Sequence, residues 1–431
     1  MRVALVNPRW SFEHSIYFGC REAHLPLELG YAQAMLRACG HDVLLLDGQF
    51  DRLDNEGLAE AIAEAAVDMT VVTTAPTYLF WRCAQPELRT PRHLLDALDG
   101  RGGRTVAVGP HGSVTPAPAL AKLGADIVVR GECETVVAAL ADAGADPRRV
   151  DGTAWLDDGR LHTRGLPAAA AFVDQSALLW PDHWLARHDH HHHRFDARPP
   201  APGAEVEASR GCPYSCTFCA KLDYRDAYRR RDLPPLLEEI DRLIGQGVDY
   251  LYFIDEIFLP QKPLLEALVP RDVRFGIQTR IDLWPEPMLE LLGRAGCVSI
   301  EAGVESLTGE GRAALDKKCR MSTDALALRL VFARRHVPFV QANLIATAGD
   351  DPELVAAWRE RLRAEGVWAN DPVPLFCYPS SPDYRRRWGE PDADAWERAH
   401  DHYLEEFARF SDIQDQRPAR LRELEAPCRP V

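Results

Sequence analysis

The sequence predicts an α/β protein: an N-terminal doubly wound parallel sheet, a partial βα barrel after it, and a small helical region at the C-terminus. Three observations predict this. Short, continuously apolar runs alternate with amphipathic stretches over residues 1–145, the pattern of parallel strands covered on both faces. A stretch rich in Pro, Ala, Asp and His interrupts the pattern at 146–202, and a second βα series then runs over 203–365.

In the first series "RVALVNP" reads as a strand, "LPLELGYAQAMLRACG" as a helix ending at Gly40, and "HDVLLLDGQ" as the next strand. "EGLAEAIAEAAV" is helical, "DMTVVTTAP" and "TVAVGPHG" are strands, and "ADIVVRGECE" followed by "TVVAALADAG" completes the set. Ligands of such sheets sit beyond the carboxyl ends of the strands. That directs attention to the loops Asn7 to Arg21, Thr74 to Arg82, and "GPHGSVTP" at 109–116. The linker 146–202 is expected to hold a short strand pair near Trp155 and Leu161, and its "RHDHHHHRFD" reads as a solvated loop, with metal binding as the alternative.

The second series offers strands at "AEVEASRG", "YLYFIDEIF", "VRFGIQTRID", "CVSIEAGVES" and "FVQANLIATAG", with helices such as "LPPLLEEIDRLIGQG" between them. A partial barrel and a second doubly wound sheet both satisfy this pattern. Residues 366–431 read as a loop leading to the helix "DAWERAHDHYLEEFARF", packed back over the barrel mouth.

The 431 residues exceed one ordinary core, and 46% hydrophobic with 27% charged residues is a globular composition. No apolar run reaches the ~20 residues of a membrane helix. The opening residues are expected to form a strand and not a secretory signal. Eleven cysteines without a regular framework point to a reducing cytoplasm. A net charge of −15 speaks against nucleic acid and is compatible with a cationic substrate.

Three cysteines stand close together in "GCPYSCTFCA": Cys212, Cys216 and Cys219. A structural zinc site wants four ligands, and no second Cys or His pair lies at finger spacing. Three thiolates suit an iron–sulfur cluster with one iron open to a non-protein ligand, and the triplet follows the first barrel strand, on the face where βα barrels keep their chemistry. Strand alternation places Ser299, Glu301, Gly303 and Glu305 on one face of "CVSIEAGVES". By the same rule Gln278 shares a face with Arg280, and Gln341 with Asn343, while Asp255 and Glu256 end "YFIDEIF".

The C-x3-C-x2-C spacing with Phe218 before the third Cys resembles the radical S-adenosylmethionine (SAM) superfamily, over roughly residues 203–365. The resemblance implies a partial (β/α)6 barrel, a [4Fe–4S] cluster on the three cysteines, and SAM chelated to the open iron. It also implies that Phe218 flanks the adenine and that Glu305, in "GVES", meets the SAM ribose. Glu256, Gln278 and Arg280 are expected at the cofactor, and Glu301 and Asp255 at the substrate. A flavodoxin- or ferredoxin-type electron donor is implied, with "YRDAYRRRD" at 224–232 as the basic docking candidate.

The N-terminal domain is similar to that of the cobalamin-binding subfamily, on "NPRW", "GPHGSVTP" and "ADIVVRGECE" in order. The lower-ligand pattern D-x-H-x-x-G is absent, so cobalamin is left uncertain with absence favoured. The segments "NPRWSFEHSIYFGCREAHLPLELGYAQAML" and "PTYLFWRCAQPELRTP" resemble a narrower group from aminoglycoside biosynthesis, the diol dehydratases of apramycin-type pathways. That implies dehydration of a vicinal diol of an aminosugar, with a partner reductase for a keto product. The alternatives are a cobalamin-dependent C-methyltransferase and a non-catalytic iron–sulfur scaffold.

Overall fold

A computed structural model describes residues 1–16, 23–77, 84–167, 169, 178–188, 202–221, 227–347, 349–407 and 417–426. The first sheet holds β1 (Arg2–Asn7), β2 (Asp42–Asp47), β3 (Met69–Thr73), β4 (Arg104–Val108), β5 (Ile127–Val129), β6 (Thr153–Asp157) and β7 (Arg160–Arg164). Its order is β2-β1-β3-β4-β5-β6-β7. The first five strands are parallel. Strands β1 and β3 are buried almost throughout, which is why their sequences are apolar runs and not alternations.

The expected strand pair near Trp155 exists, but it is not confined to a linker. β6 pairs antiparallel with β5 and β7 with β6, so the hairpin extends the first sheet past residue 145. The His-rich run is also not wholly solvated: its first histidine, His188, is buried. The remainder of that run lies outside the described residues.

The second sheet begins at β8 (Gly203–Val206). A short antiparallel pair, β9 (Ser209–Arg210) and β10 (Arg229–Arg230), flanks it. It continues through β11 (Tyr250–Phe253), β12 (Arg274–Thr279), β13 (Cys297–Glu305), β14 (Phe339–Leu344) and β15 (Trp368–Ala369). All six members run parallel in the order β15-β14-β13-β12-β11-β8. The sixth strand is two residues long and lies in the stretch read from sequence as the start of a loop. Two residues carry too little periodicity to be seen as a strand.

The register puts Glu205, Tyr252, Gly276 and Gln278 along one face, with Glu301 opposite Gln278 and Gln341 opposite Glu301. Gly276 has a specific task there. A Cβ on it would stand 2.5 Å from the Tyr250 hydroxyl and 3.2 Å from Cδ2 of Tyr252. The missing side chain lets both tyrosines lie across β12, which carries the Tyr252 hydroxyl to β13.

Buried charges join the two sheets. Arg210 is held between Glu134 and Glu207, each at 2.8 Å, and lies over the Tyr31 ring. Arg229 pairs with Glu132, and Arg231 with Glu239 at 2.5 Å. The basic docking candidate is therefore corrected at its described end: Arg229 and Arg231 are spent on internal ion pairs. Residues 224–226 of that stretch lie outside the described residues.

Candidate active site

The three cysteines follow β8 and β9 on one short loop, each half-buried. Several bonds hold that loop. Gly211 N–H donates to Glu256 at 2.7 Å, and Lys221 Nζ donates to the Cys212 carbonyl at 2.6 Å. Thr217 N–H donates to the Leu315 carbonyl at 3.0 Å. The Thr217 hydroxyl donates to Asp383 at 2.9 Å, and Asp383 N–H returns to the Thr217 carbonyl at 2.9 Å. The C-terminal region therefore does reach the barrel mouth, and it does so at the cysteine loop.

Burial pushes all three thiols up, Cys219 to about 12, with the charges of Cys212 and Cys216 adding to it. Thiolates at all three positions thus need a positively charged partner, which an iron cluster supplies. Lys221 acts in the same direction on Cys212 and Cys219, and Lys317 and Arg280 on Cys216. Among the described residues, the side chains that meet within a single ion's reach are His24, His188 and Glu205, not the three thiols. Separated sulfurs are what the corners of a cubane require, so the loop fits a [4Fe–4S] cluster better than zinc.

Glu305 lies beside this loop by an unusual route. The β13–β14 register shifts between Gly303 and Glu305, and Glu305 takes a φ of 66°. A bulge therefore replaces the simple alternation read from the sequence. The Glu305 side chain folds over Gly303, where a Cβ would stand 2.7 Å from Oε1. Lys317 Nζ donates to that oxygen at 3.0 Å and is itself buried. A non-glycine residue at positive φ costs stability, and here it faces the cysteines.

Arg280 pairs with Asp282 at 2.8 Å, and its guanidinium lies 4.1 Å from the centre of the Tyr214 ring, between Cys212 and Cys216 in sequence. Glu301 is buried and accepts the Tyr252 hydroxyl at 3.1 Å. Gln278 sits on the neighbouring strand in register with Glu301, and Phe218 is half-buried on the loop. Gln341 donates to Asn343 at 2.5 Å on β14.

Asp255 departs from its expected role. Its Oδ1 accepts the Ala208 N–H at 2.8 Å and its Oδ2 accepts the Ser209 hydroxyl. It ties the end of β11 to the approach to Cys212. Burial raises its pKa to about 8. Lys317, Lys221, Tyr214 and Tyr252 were not singled out by sequence. Tyr214 carried a signal, an aromatic inside the cysteine spacing; the others carried none.

The carboxyl edge of the first sheet looks different. His111, in the 109–116 loop, is buried and bound to the Gln85 carbonyl at 2.8 Å and to Thr74 at 3.2 Å. Desolvation lowers its pKa to about 3, so it stays neutral. Trp396 packs on it with ring centres 4.6 Å apart and donates to Thr115 at 3.0 Å. Phe376, Tyr378, Tyr384, Trp396, Tyr403 and Phe407 share one core with Trp10, Phe12 and Ile16 of the β1 loop. Lys122 links to Glu397 and Glu425, and Ala419 N–H donates to the His14 carbonyl at 2.8 Å. The chain's own C-terminal residues cover the loops after β1, β3 and β4. Parts of the loops after β1 and β3, residues 17–22 and 78–83, lie outside the described residues.

Comparison with known proteins adds the following. The B12 binding domain family matches residues 21–141, and the Radical SAM superfamily matches residues 206–341. The anaerobic magnesium-protoporphyrin IX monomethyl ester cyclase of Cereibacter sphaeroides is 27% identical over 391 residues, 86% of this chain and 60% of that protein. An uncharacterized methyltransferase of Pyrococcus horikoshii is 24% identical over 293 residues, 65% of this chain and 61% of that protein. The chain thus spans about three fifths of the length of these relatives. The structure of the methyltransferase TsrM from Kitasatospora setae, with cobalamin and a [4Fe–4S] cluster bound, superposes with a TM-score of 0.67. It is 19% identical and covers 88% of this chain and 73% of TsrM, a likeness of fold.

Proposed function

The chain belongs to the radical SAM superfamily, in the subfamily with an N-terminal B12-binding domain, and on that premise we propose that it abstracts hydrogen from a small polar substrate held in the barrel. One observation carries this reading: Cys212, Cys216 and Cys219 stand on a single braced loop beside Glu256, Glu305 and Lys317. The cysteines would hold the cluster, which when reduced supplies the electron that cleaves SAM to a 5′-deoxyadenosyl radical.

The chain's own residues do the rest. Glu256 fixes the backbone at Gly211, and Lys317 holds the Glu305 carboxylate in place for the ribose hydroxyls of SAM. Arg280 stacks on Tyr214 and keeps a fixed positive charge near Cys216. Glu301, with Tyr252 donating to it, is the group for a substrate hydroxyl or ammonium: it can take a proton or pair with a cation. The electron donor would be of flavodoxin or ferredoxin type.

The names of the relatives support carbon methylation, with cobalamin as the methyl carrier, as the fate of the substrate radical. The B12-binding match and the cobalamin-bound neighbour count against the expectation that cobalamin is absent. A second reading, dehydration of a vicinal diol on an aminosugar, is favoured by a specific observation. Trp396 and its neighbours pack beyond the carboxyl edge of the first sheet, whereas the lumen offers the Tyr252–Glu301 pair for proton transfer.

The test is a single-turnover reaction of anaerobically reconstituted protein, with and without added cobalamin. Both readings require 5′-deoxyadenosine. Gain of a methyl group that depends on cobalamin supports methylation; loss of water without cobalt in the protein supports dehydration. No 5′-deoxyadenosine after reduction defeats both.

A further inference from the structure

We propose that His24, His188 and Glu205 bind one divalent transition-metal ion, zinc or ferrous iron by donor type, at the seam between the first domain and the barrel. The three donors come from three separate segments: the approach to the helix Leu27–Ala38, the end of the short helix Asp182–Leu185, and β8. His24 and His188 are each 4% exposed and Glu205 is 0% exposed. One ligand atom from each lies within 4.8 Å of the other two.

Two imidazoles and one carboxylate are the donors that borderline first-row ions take; magnesium and calcium want oxygen alone. The surroundings orient these donors as outer partners orient metal ligands. Glu205 Oε2 accepts the Leu25 N–H at 3.0 Å, which turns Oε1 towards the imidazoles. His188 is anchored by its own N–H on the Trp184 carbonyl at 2.9 Å, and its ring lies against Gly203. A Cβ at Gly203 would stand 2.6 Å from His188 Nδ1, so β8 carries glycine where the ring must pass.

In the metal-free arrangement His24 Nδ1 is hydrogen-bonded to Glu205 Oε1 at 2.5 Å, and His188 Nε2 lies 2.9 Å from the same oxygen. An ion with bonds of ~2.0–2.2 Å holds its donors roughly 3.4 Å apart. Entry of the ion therefore displaces the bridging proton and widens each contact by about 1 Å or less. It also compensates a carboxylate that is otherwise costly to bury. The ion would clasp the N-terminal domain to the first barrel strand, apart from the cysteine loop.

The test uses the full chain with Cys212, Cys216 and Cys219 all changed to Ala, so that cluster iron is not counted. After treatment with a chelator and equilibration with Zn2+ or Co2+, it should retain one equivalent by elemental analysis. The Co2+ form should show ligand-field absorption. Changing His190 to His193 to Ser should leave that equivalent in place. Glu205→Gln or His188→Gln should weaken binding by at least about 100-fold, the upper range for losing even an outer partner. If those two variants fold poorly, the Co2+ spectrum of the parent chain decides. Absence of a ligand-field band, or an equivalent that vanishes with the His190–His193 change alone, overturns the proposal.

Discussion

The two parallel sheets obey the same topological rule and use it in opposite ways. Beyond the carboxyl end of β8 stand three thiols, two lysines and two carboxylates, braced by backbone bonds from Gly211 and Thr217. Beyond β1, β3 and β4 stands an aromatic core contributed largely by residues 376–407. A parallel sheet supplies a position for a ligand, and the loops and the distant chain decide whether that position is kept open. The difference is electrostatic as well as steric. The first site gathers charged groups, among them the ion pairs Lys317–Glu305 and Arg280–Asp282, whereas the second site keeps His111 neutral.

The largest expected effect comes from breaking the charged site. Cys216→Ala should remove a cluster ligand and abolish 5′-deoxyadenosine formation, by at least about 10³-fold, measured by chromatography after reduction with SAM. Glu301→Gln should act later. Substrate turnover should fall about 10²- to 10⁴-fold while 5′-deoxyadenosine still forms, because only proton handling is lost. Equal loss of both would show that Glu301 serves SAM instead.

Lys317→Ala sharpens the comparison at the cofactor. It leaves the half-buried Glu305 beside Cys216 without its partner, so the KM for SAM should rise by roughly 10-fold or more, since losing one partner of a largely desolvated pair is costly. On the covered edge, Trp396→Ala should cost about 3–5 kcal/mol by chemical denaturation, the range for emptying a buried aromatic site. The same variant asks whether the cover excludes cobalamin, since bound cobalamin would then rise above the parent level.

The smallest effect concerns Asp255. Its folded pKa of about 8 lies above the ordinary 3.8, so the folded chain binds a proton that the unfolded chain releases. Its contribution is fully present below about pH 4 and is lost as pH rises to about 8. Asp255→Asn keeps a neutral side chain that can still accept from Ala208 N–H. Relative to the parent, its stability should be constant below about pH 4 and rise steadily up to about pH 8, measured by denaturant midpoints. Parallel curves across that range would contradict the raised pKa.

The sequence displayed most of the strands, because apolar runs and turn residues act locally. It missed β15, which is only two residues long, and it misplaced the hairpin β6–β7, whose partner β5 lies twenty-odd residues away. The cysteine loop was legible because three thiols at short spacing have few other uses. Glu301 and Gln278 were placed correctly on facing strands by period-two alternation. Asp255 was placed at the end of β11, but its hydrogen bonds to Ala208 and Ser209, which cross from one strand to another, were not legible.

By itself, then, the sequence determined two βα series and the three-cysteine loop, since both follow from spacings of a few residues. Only tertiary structure decided that Lys317 meets Glu305, that Trp396 covers His111, and that His24, His188 and Glu205 come together. Those contacts join residues separated by 12, 285 and up to 181 positions, and no local pattern encodes a pairing that exists only once the chain has packed.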